Sequence, residues 1–151
     1  MSITFSGRQV LQAGSIVLDG RARDKDSAID EAGRLLVAAG AVDEGYVTAM
    51  HDRERTISTY MGSLLSIPHG TSAAKKLIRS TALSFVRYPQ GIDWGGGKRV
   101  EFVLGIAGVD DQHLELLANI AGVFVDVEAV ERLRDATTAE DVLEELTGAD
   151  S

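Results

Sequence analysis

The chain has 151 residues, enough for one domain with one sizeable core, and its 44% hydrophobic and 25% charged residues exclude a disordered chain. A formal net charge of −8 argues against nucleic acid and anionic membrane surfaces as partners, since both reward clustered Lys and Arg; it suits solubility or steering toward a basic protein. There is no cysteine, which removes disulfides, thiolate metal sites and thiol catalysis and fits a reducing cytoplasm. The longest nearly apolar run, Leu116 to Val125, is too short to span a bilayer, and the N-terminus lacks the charged and apolar regions of a signal peptide. The expectation is one cytoplasmic domain over residues 1–151, not inserted in a membrane.

In chain order, Ser15 to Leu18, bounded by Gly14 and Gly20, reads as the first strand. Asp26 is placed to cap a helix with an apolar stripe through Ile29, Ala32, Leu36 and Ala39, and Gly40 stops it. Asp43 then opens a second helix carrying Tyr46, Val47 and Met50 and ending in the charged run Asp52-Arg53-Glu54-Arg55; the link Ala41-Val42 makes the two an αα-hairpin. Ile57 to Ile67 holds two short extended pieces around Gly62. Pro68 holds Ile67 extended and fixes its own φ, so the chain reaches His69 in a constrained geometry. Thr71 to Ile78 reads as a short helix with a hydroxyl cap. Thr81 to Arg87 alternates with Thr81, Leu83 and Phe85 on one face, Tyr88 to Gly97 reads as a loop, and Val100 to Ile106 as a buried strand. Three helices complete the chain. One is capped by Asp110 or Asp111 and carries Leu114, Leu117, Ala118 and Ala121; one runs from about Val127 to Asp135; the last opens with the capping-box spacing Thr138-x-x-Asp141 and ends at Gly148. This order predicts an α/β sandwich, a small mixed sheet covered by helices.

Three histidines could carry chemistry, since imidazole is available as a neutral nucleophile near pH 7. His69 follows a strand on a Pro-His-Gly turn, the end of a sheet where α/β proteins place their sites, and Gly70 leaves room beside the ring. A loop histidine satisfied by backbone contacts is the plainer reading of the same residue. His113 also lies just beyond the carboxyl end of a predicted strand, in the first turn of a helix, where it could equally be a polar residue near an N-cap. His51, within a charged helical segment, reads as solvated surface. Arg53 is either a solvated helix end or a guanidinium fork for phosphoryl oxygens. No His-x-x-x-His spacing supports a zinc site, and no metal or other cofactor is expected. Gly95-Gly96-Gly97-Lys98-Arg99 fails as a P-loop, because Ile92 and Arg99 stand where Gly and Ser/Thr are required; a mobile connecting loop is the alternative.

The run from Asp52 through Ser58-Thr59-Tyr60-Met61-Gly62 to Ser66-Ile67-Pro68-His69-Gly70-Thr71 closely resembles the active-site stretch of enzyme IIA domains of the mannitol/fructose type, part of the bacterial sugar phosphotransferase system. The likeness continues through Tyr88-Pro89-x-Gly91-Ile92, Gly105-Ile106-Ala107, Asp111-Gln112-His113-Leu114 and Thr138-Ala139-Glu140-Asp141-Val142-Leu143, covering nearly the whole chain in order. The resemblance implies a three-layer α/β/α sandwich and a histidine phosphocarrier. His69 would accept the phosphoryl group from the phosphocarrier HPr on Nε2 and pass it to a cysteine of the enzyme IIB domain. Arg53 matches the family's phosphoryl-binding arginine and His113 its second active-site histidine. HPr would meet an apolar patch around His69 with acidic residues such as Asp110 or Asp111 at its rim. Pro-His-Gly-Thr, Tyr-Pro-x-Gly and Gly-Ile-Ala resemble the mannitol branch more than the fructose branch. A regulatory, nitrogen-type IIA homologue phosphorylated on the same histidine is the alternative.

Overall fold

The computed structural model of the chain describes residues 4–5 and 8–146. Thr4–Phe5 (β1) and Arg8–Gln9 (β2) form a small antiparallel pair ahead of the main body. The main sheet is built from Ile16–Val17 (β3), Tyr60–Gly62 (β4), Leu65–Ser66 (β5), Phe85–Asp93 (β7) and Arg99–Val103 (β8), in the order β3-β7-β8-β5-β4. Its pairings are parallel for β3/β7 and β5/β8 and antiparallel for β7/β8 and β4/β5, so the sheet is mixed as expected.

Two short strands prolong this sheet. Ala82–Leu83 (β6) and Ile106–Ala107 (β9) pair antiparallel in the register that Val86↔Val103 sets for β7 and β8, joined through Ser84 N–H to the Gly105 carbonyl at 2.9 Å. On the other side, the parallel register of β5 with β8 carries on to a single bridge between His69 and Ile106. The strand leading to His69 and the strand leading toward His113 therefore end side by side.

Side chains alternate across the pleat, and each face meets its own helices. Leu65, Ile67, Leu83, Phe85, Phe102, Leu104 and Ile106 pack with buried residues of Gln112–Phe124 (α3), Val127–Asp135 (α4) and Ala139–Leu146 (α5). Val86, Tyr88, Ile92, Val100, Val103 and Ala107 pack with Lys25–Ala38 (α1) and Gly45–Thr56 (α2). The result is the three-layer α/β/α sandwich.

Several local expectations are corrected. Asp24, not Asp26, caps α1, its carboxylate accepting from Ser27 N–H at 2.8 Å. Gly40, at φ +76°, does end that helix: its N–H and that of Ala41 bond back to Val37 and Leu36, so the carbonyls of the last turn are satisfied. The second helix begins at Gly45, and the Asp43 carboxylate pairs with Arg79. Thr71 to Ile78 is a 3₁₀ helix over Ser72–Leu77 with no cap from the Thr71 side chain. In α3 the buried stripe is Leu116, Ile120 and Phe124, while Leu114 and Ala118 face solvent. Val100 to Ile106 is interrupted at Leu104-Gly105. The expected stop at Gly148 lies outside the described residues.

The largest correction is the segment Tyr88 to Gly97, most of which is strand. Pro89 sits in a bulge, where the register shifts between Arg87 and Ile92 and the ladder does not need its missing N–H. Gly91 takes φ +79° there, and a Cβ on it would lie 2.4 Å from the Arg99 guanidinium, which bonds the carbonyls of Pro89 and Gln90. Only Trp94 to Lys98 turns, closed by Trp94 N–H to the Lys98 carbonyl and Lys98 N–H to that of Gly95. The triple glycine is thus a hydrogen-bonded hairpin turn.

The end of α2 is held by one buried carboxylate. Glu54 accepts from Thr59 N–H at 3.0 Å, from the Thr59 hydroxyl and from Trp94 Nε1–H at 3.1 Å, and pairs with Lys25 at 3.2 Å. It joins α2 to α1, to the lead into β4 and to the β7–β8 hairpin, and Arg53 is its neighbour in sequence. Burial pushes the Glu54 carboxyl up, but the Thr59 and Lys25 partners outweigh it and hold it below the ordinary 4.5. A depressed carboxyl stabilises the fold above its unfolded value, and that contribution is lost as pH falls through the folded value. Glu54→Ala should cost about 3 kcal/mol in urea unfolding at neutral pH, because its donors and the Lys25 charge lose their partner. The gap from wild type should narrow in acid; a loss under about 1 kcal/mol at neutral pH would contradict this network.

Candidate active site

His69 stands where β5, prolonged through Ile67 and Pro68, leaves the sheet. Its Nδ1 lies 2.9 Å from the Ile67 carbonyl oxygen. A carbonyl can only accept, so Nδ1 carries the proton and Nε2 of the neutral ring keeps its lone pair. Burial holds the His69 pKa below the ordinary 6.5, and the charges of Arg53 and His113 act in the same direction; the Ile67 carbonyl and Glu54 oppose them without prevailing. At neutral pH the ring is uncharged, with one nitrogen free to attack.

The two glycines nearest the site are required by close approach. A Cβ on Gly70 would lie 2.5 Å from the Tyr46 ring, and one on Gly108 would lie 2.2 Å from the backbone nitrogen of His113. The second contact is with backbone, so no rotamer change relieves it, and Gly108 is what lets α3 start tightly against β9. The loop between them is fixed by the Thr81 hydroxyl, which accepts from Val109 N–H at 3.0 Å and donates to the Gln112 side chain. Asp110 in that loop takes φ +56°, and its carbonyl accepts from Lys75 Nζ at 3.1 Å.

His113 is brought to face His69, the ring centroids lying 6.4 Å apart at 33°. That is too wide for stacking contact and leaves room for a tetrahedral group beside the rings. His113 Nδ1 is buried with no hydrogen-bond partner among the described residues. A proton there would be an unsatisfied buried donor, costlier than a bare lone pair, so the neutral ring carries its proton on Nε2. Complementary tautomers follow: His69 offers a lone pair on Nε2, and His113 offers an N–H.

Arg53 comes from the last turn of α2, where a cation is favoured by the helix dipole. Its Nη1 donates to the Ile57 carbonyl at 2.6 Å, which fixes the guanidinium at the rim. A cleft of about 270 Å³ is lined by Arg53, His69 and His113 together with Tyr46, Lys75 and Gly108 among others. All three residues singled out in the sequence therefore share one cleft, which is locally cationic on a chain of net charge −8. Sequence reasoning missed Tyr46, read as packing in α2, and Lys75, read as part of a short helix. A cation six residues beyond His69 was the available signal for the latter. His51 is not simply solvated: its Nε2 meets the Asp30 carboxylate at 3.1 Å and joins α2 to α1, away from the cleft.

An uncharged imidazole sharing one cleft with a fixed guanidinium and a second imidazole, at the end of a sheet, is what a histidine phosphocarrier requires. The chain belongs to the family described as phosphoenolpyruvate-dependent sugar phosphotransferase system, EIIA 2, whose model matches residues 9–148. It is a phosphotransferase component of that system, a carrier of phosphoryl groups between proteins. Over 134 residues it is 42% identical to the mannitol-specific phosphotransferase enzyme IIA component of Geobacillus stearothermophilus, an alignment covering 89% of this chain and 92% of the relative. Among solved structures it is similar to a chain in the complex of mannitol enzyme IIA with phosphorylated mannitol enzyme IIB from Escherichia coli, with TM-score 0.86 and 34% identity over 91% of this chain and 99% of that one. It is also similar to the nitrogen regulatory protein IIA-Ntr of Neisseria meningitidis, with TM-score 0.76 and 27% identity over 91% of this chain and 97% of that one. No helix among the described residues is long and apolar enough to cross a membrane.

The lowered His69 pKa is directly testable. In an NMR titration of the imidazoles its midpoint should fall below the ordinary 6.5, and Arg53→Ala should raise it, since one opposing charge is gone. A wild-type midpoint at or above the ordinary value would contradict the site's electrostatics.

Proposed function

We propose that this chain takes a phosphoryl group from phosphorylated HPr on Nε2 of His69 and delivers it to a cysteine of an enzyme IIB domain in the cytoplasm, serving uptake of mannitol. The observation that carries this reading is the hydrogen bond from His69 Nδ1 to the Ile67 carbonyl, which leaves Nε2 as the nucleophilic nitrogen in a cleft shared with Arg53. The mannitol assignment is supported by relatives described as mannitol-specific at 42% identity and, among solved structures, by 36% identity to the mannitol IIA of Escherichia coli against 27% for the nitrogen-regulatory neighbour.

The chemistry follows from the arrangement. The lone pair on Nε2 attacks phosphorus as the N–P bond to the donor histidine breaks, and the donor ring keeps that electron pair. The transition state is loose, with charge spread over the three equatorial oxygens, so the protein's contribution is alignment and charge neutralisation. Arg53 supplies a permanent positive charge and His113 a directional N–H. In the second transfer a thiolate of the IIB domain attacks the same phosphorus, and the pair of the N–P bond returns to Nε2. Docking is served by exposed apolar residues flanking the cleft: Ile57, 65% exposed, follows the last turn of α2, and Leu114, 57% exposed, follows His113. Asp110 and Asp111 lie at the same rim.

Reconstituted transfer from phosphoenolpyruvate through enzyme I and HPr tests the assignment. His69→Ala should take no label while keeping its fold, and the wild-type label should be acid-labile, as a phosphoramidate is. Arg53→Ala and His113→Ala should still be labelled on His69 but more slowly, roughly ten- to hundredfold for the loss of a charge-assisted hydrogen bond of about 1.5–3 kcal/mol. Arg53→Lys should recover only part of the rate, because an ammonium cannot reproduce the guanidinium fork. Undiminished labelling of His69→Ala, or full activity in Arg53→Ala, would overturn these roles. The donor step should also slow as salt rises, the rim charges being screened over about 8 Å at physiological ionic strength; a salt-independent rate at limiting HPr would count against charge steering.

A further inference from the structure

Tyr46 is 2% exposed, lines the cleft, and is not accounted for by the transfer chemistry above. Its place in the hydrogen-bond pattern is unusual. In a parallel ladder, the central residue of one strand bonds both neighbours of the residue opposite it. Opposite His69, Ile106 begins this pattern normally, its N–H donating to the Pro68 carbonyl at 3.0 Å. The next rung would run from Gly70 N–H to the Ile106 carbonyl. The Tyr46 hydroxyl bonds these same two groups, accepting from Gly70 N–H at 2.9 Å and donating to the Ile106 carbonyl at 2.8 Å. On that side of His69 the two strands are also tied to each other through one side-chain oxygen. Gly70 is the residue that permits this, since a Cβ would lie 2.5 Å from the Tyr46 ring.

We propose that Tyr46 is a positioning residue for the transfer: its hydroxyl is a fixed spacer that sets how far the His69 strand stands off the strand leading to His113. It thereby sets the width of the cleft between the two imidazoles. This rests on the phosphocarrier reading for its consequence but not for its geometry. Three features make the spacer rigid. The ring is buried in the core formed with α1; both hydroxyl bonds go to backbone, which cannot rotate away; and burial pushes the phenol up to about 12, so the hydroxyl remains a donor to Ile106. Removing the oxygen leaves Gly70 N–H and the Ile106 carbonyl either unpaired or free to close on each other. Either outcome moves the backbone that carries His69, while His69, Arg53 and His113 all remain present.

The test compares Tyr46→Phe with Tyr88→Phe. The Tyr88 hydroxyl is also a partnered group on a buried ring, bonded to Glu31 at 2.7 Å, but it is not among the residues lining the cleft. Tyr46→Phe should lower the maximal single-turnover rate of phosphorylation by HPr roughly ten- to hundredfold, the scale of a displacement near 1 Å, with the half-saturating HPr concentration unchanged. In the unphosphorylated protein it should shift the imidazole nitrogen resonances of His69 and the amide of Gly70. Tyr88→Phe should lose comparable thermal stability with neither effect. An unchanged rate and unchanged His69 resonances in Tyr46→Phe, or equal slowing by both variants, would overturn the proposal. If the wild-type chain takes no phosphoryl group at all, the phosphocarrier reading fails, and the His69 and Gly70 resonances still decide whether Tyr46 positions the strand.

Discussion

An imidazole can present its lone pair on either nitrogen, and in this chain the Ile67 carbonyl, 2.9 Å from His69 Nδ1, takes up the one that carries the proton. The site's chemistry depends on that contact. It leaves the lone pair on Nε2 free, fixes the ring that faces His113, and works against the burial that keeps the ring uncharged. The bond is made by a side chain reaching back to the carbonyl two residues earlier along the prolonged strand, and the fixed φ of Pro68 constrains the backbone between them. The rest comes from the sheet: the Pro68 carbonyl is held by Ile106 N–H, and Gly70 N–H is held by Tyr46.

The electrostatic arrangement separates the molecule's overall charge from that of its site. An acidic chain of net charge −8 carries a cleft lined by Arg53, Lys75 and two histidines. The long-range field suits an encounter with a basic partner, and the local field suits the phosphoryl oxygens. Lys75 has a second part in this, because its bonds to the Asp110 carbonyl and, at 4.0 Å, to Asp111 hold the loop that delivers His113. Glu54 plays the corresponding part for Arg53, holding the end of α2 from inside the core.

The fold and the site were legible in the sequence to different depths, for physical reasons. The helices of the first half were readable because their apolar stripes are regular and Gly40 marks a stop that only a left-handed residue makes easily. Tyr88 to Asp93 was misread as loop because proline and glycine usually break strands; a bulge in which Arg99 occupies the carbonyls is a long-range fact with no local signature. The stripe of α3 was misread because Leu114 is apolar and exposed, and its exposure makes sense only once the cleft beside it is known. His69, Arg53 and His113 could be named from a resemblance along the whole chain, but their convergence depends on two parallel strands ending together. Tyr46 was invisible as a site residue, since a tyrosine on the apolar side of a helix looks like packing until its hydroxyl is seen between two strands.

If the Ile67 carbonyl directs phosphorylation, Nε2 of His69 is the phosphoryl acceptor. The most direct test is NMR of the chain with labelled imidazole nitrogens, phosphorylated through enzyme I and HPr and examined for phosphorus–nitrogen coupling. Coupling to Nε2 of His69 is expected, with Nδ1 still protonated and hydrogen-bonded. Coupling to Nδ1 of His69, or to either nitrogen of His113, would contradict it.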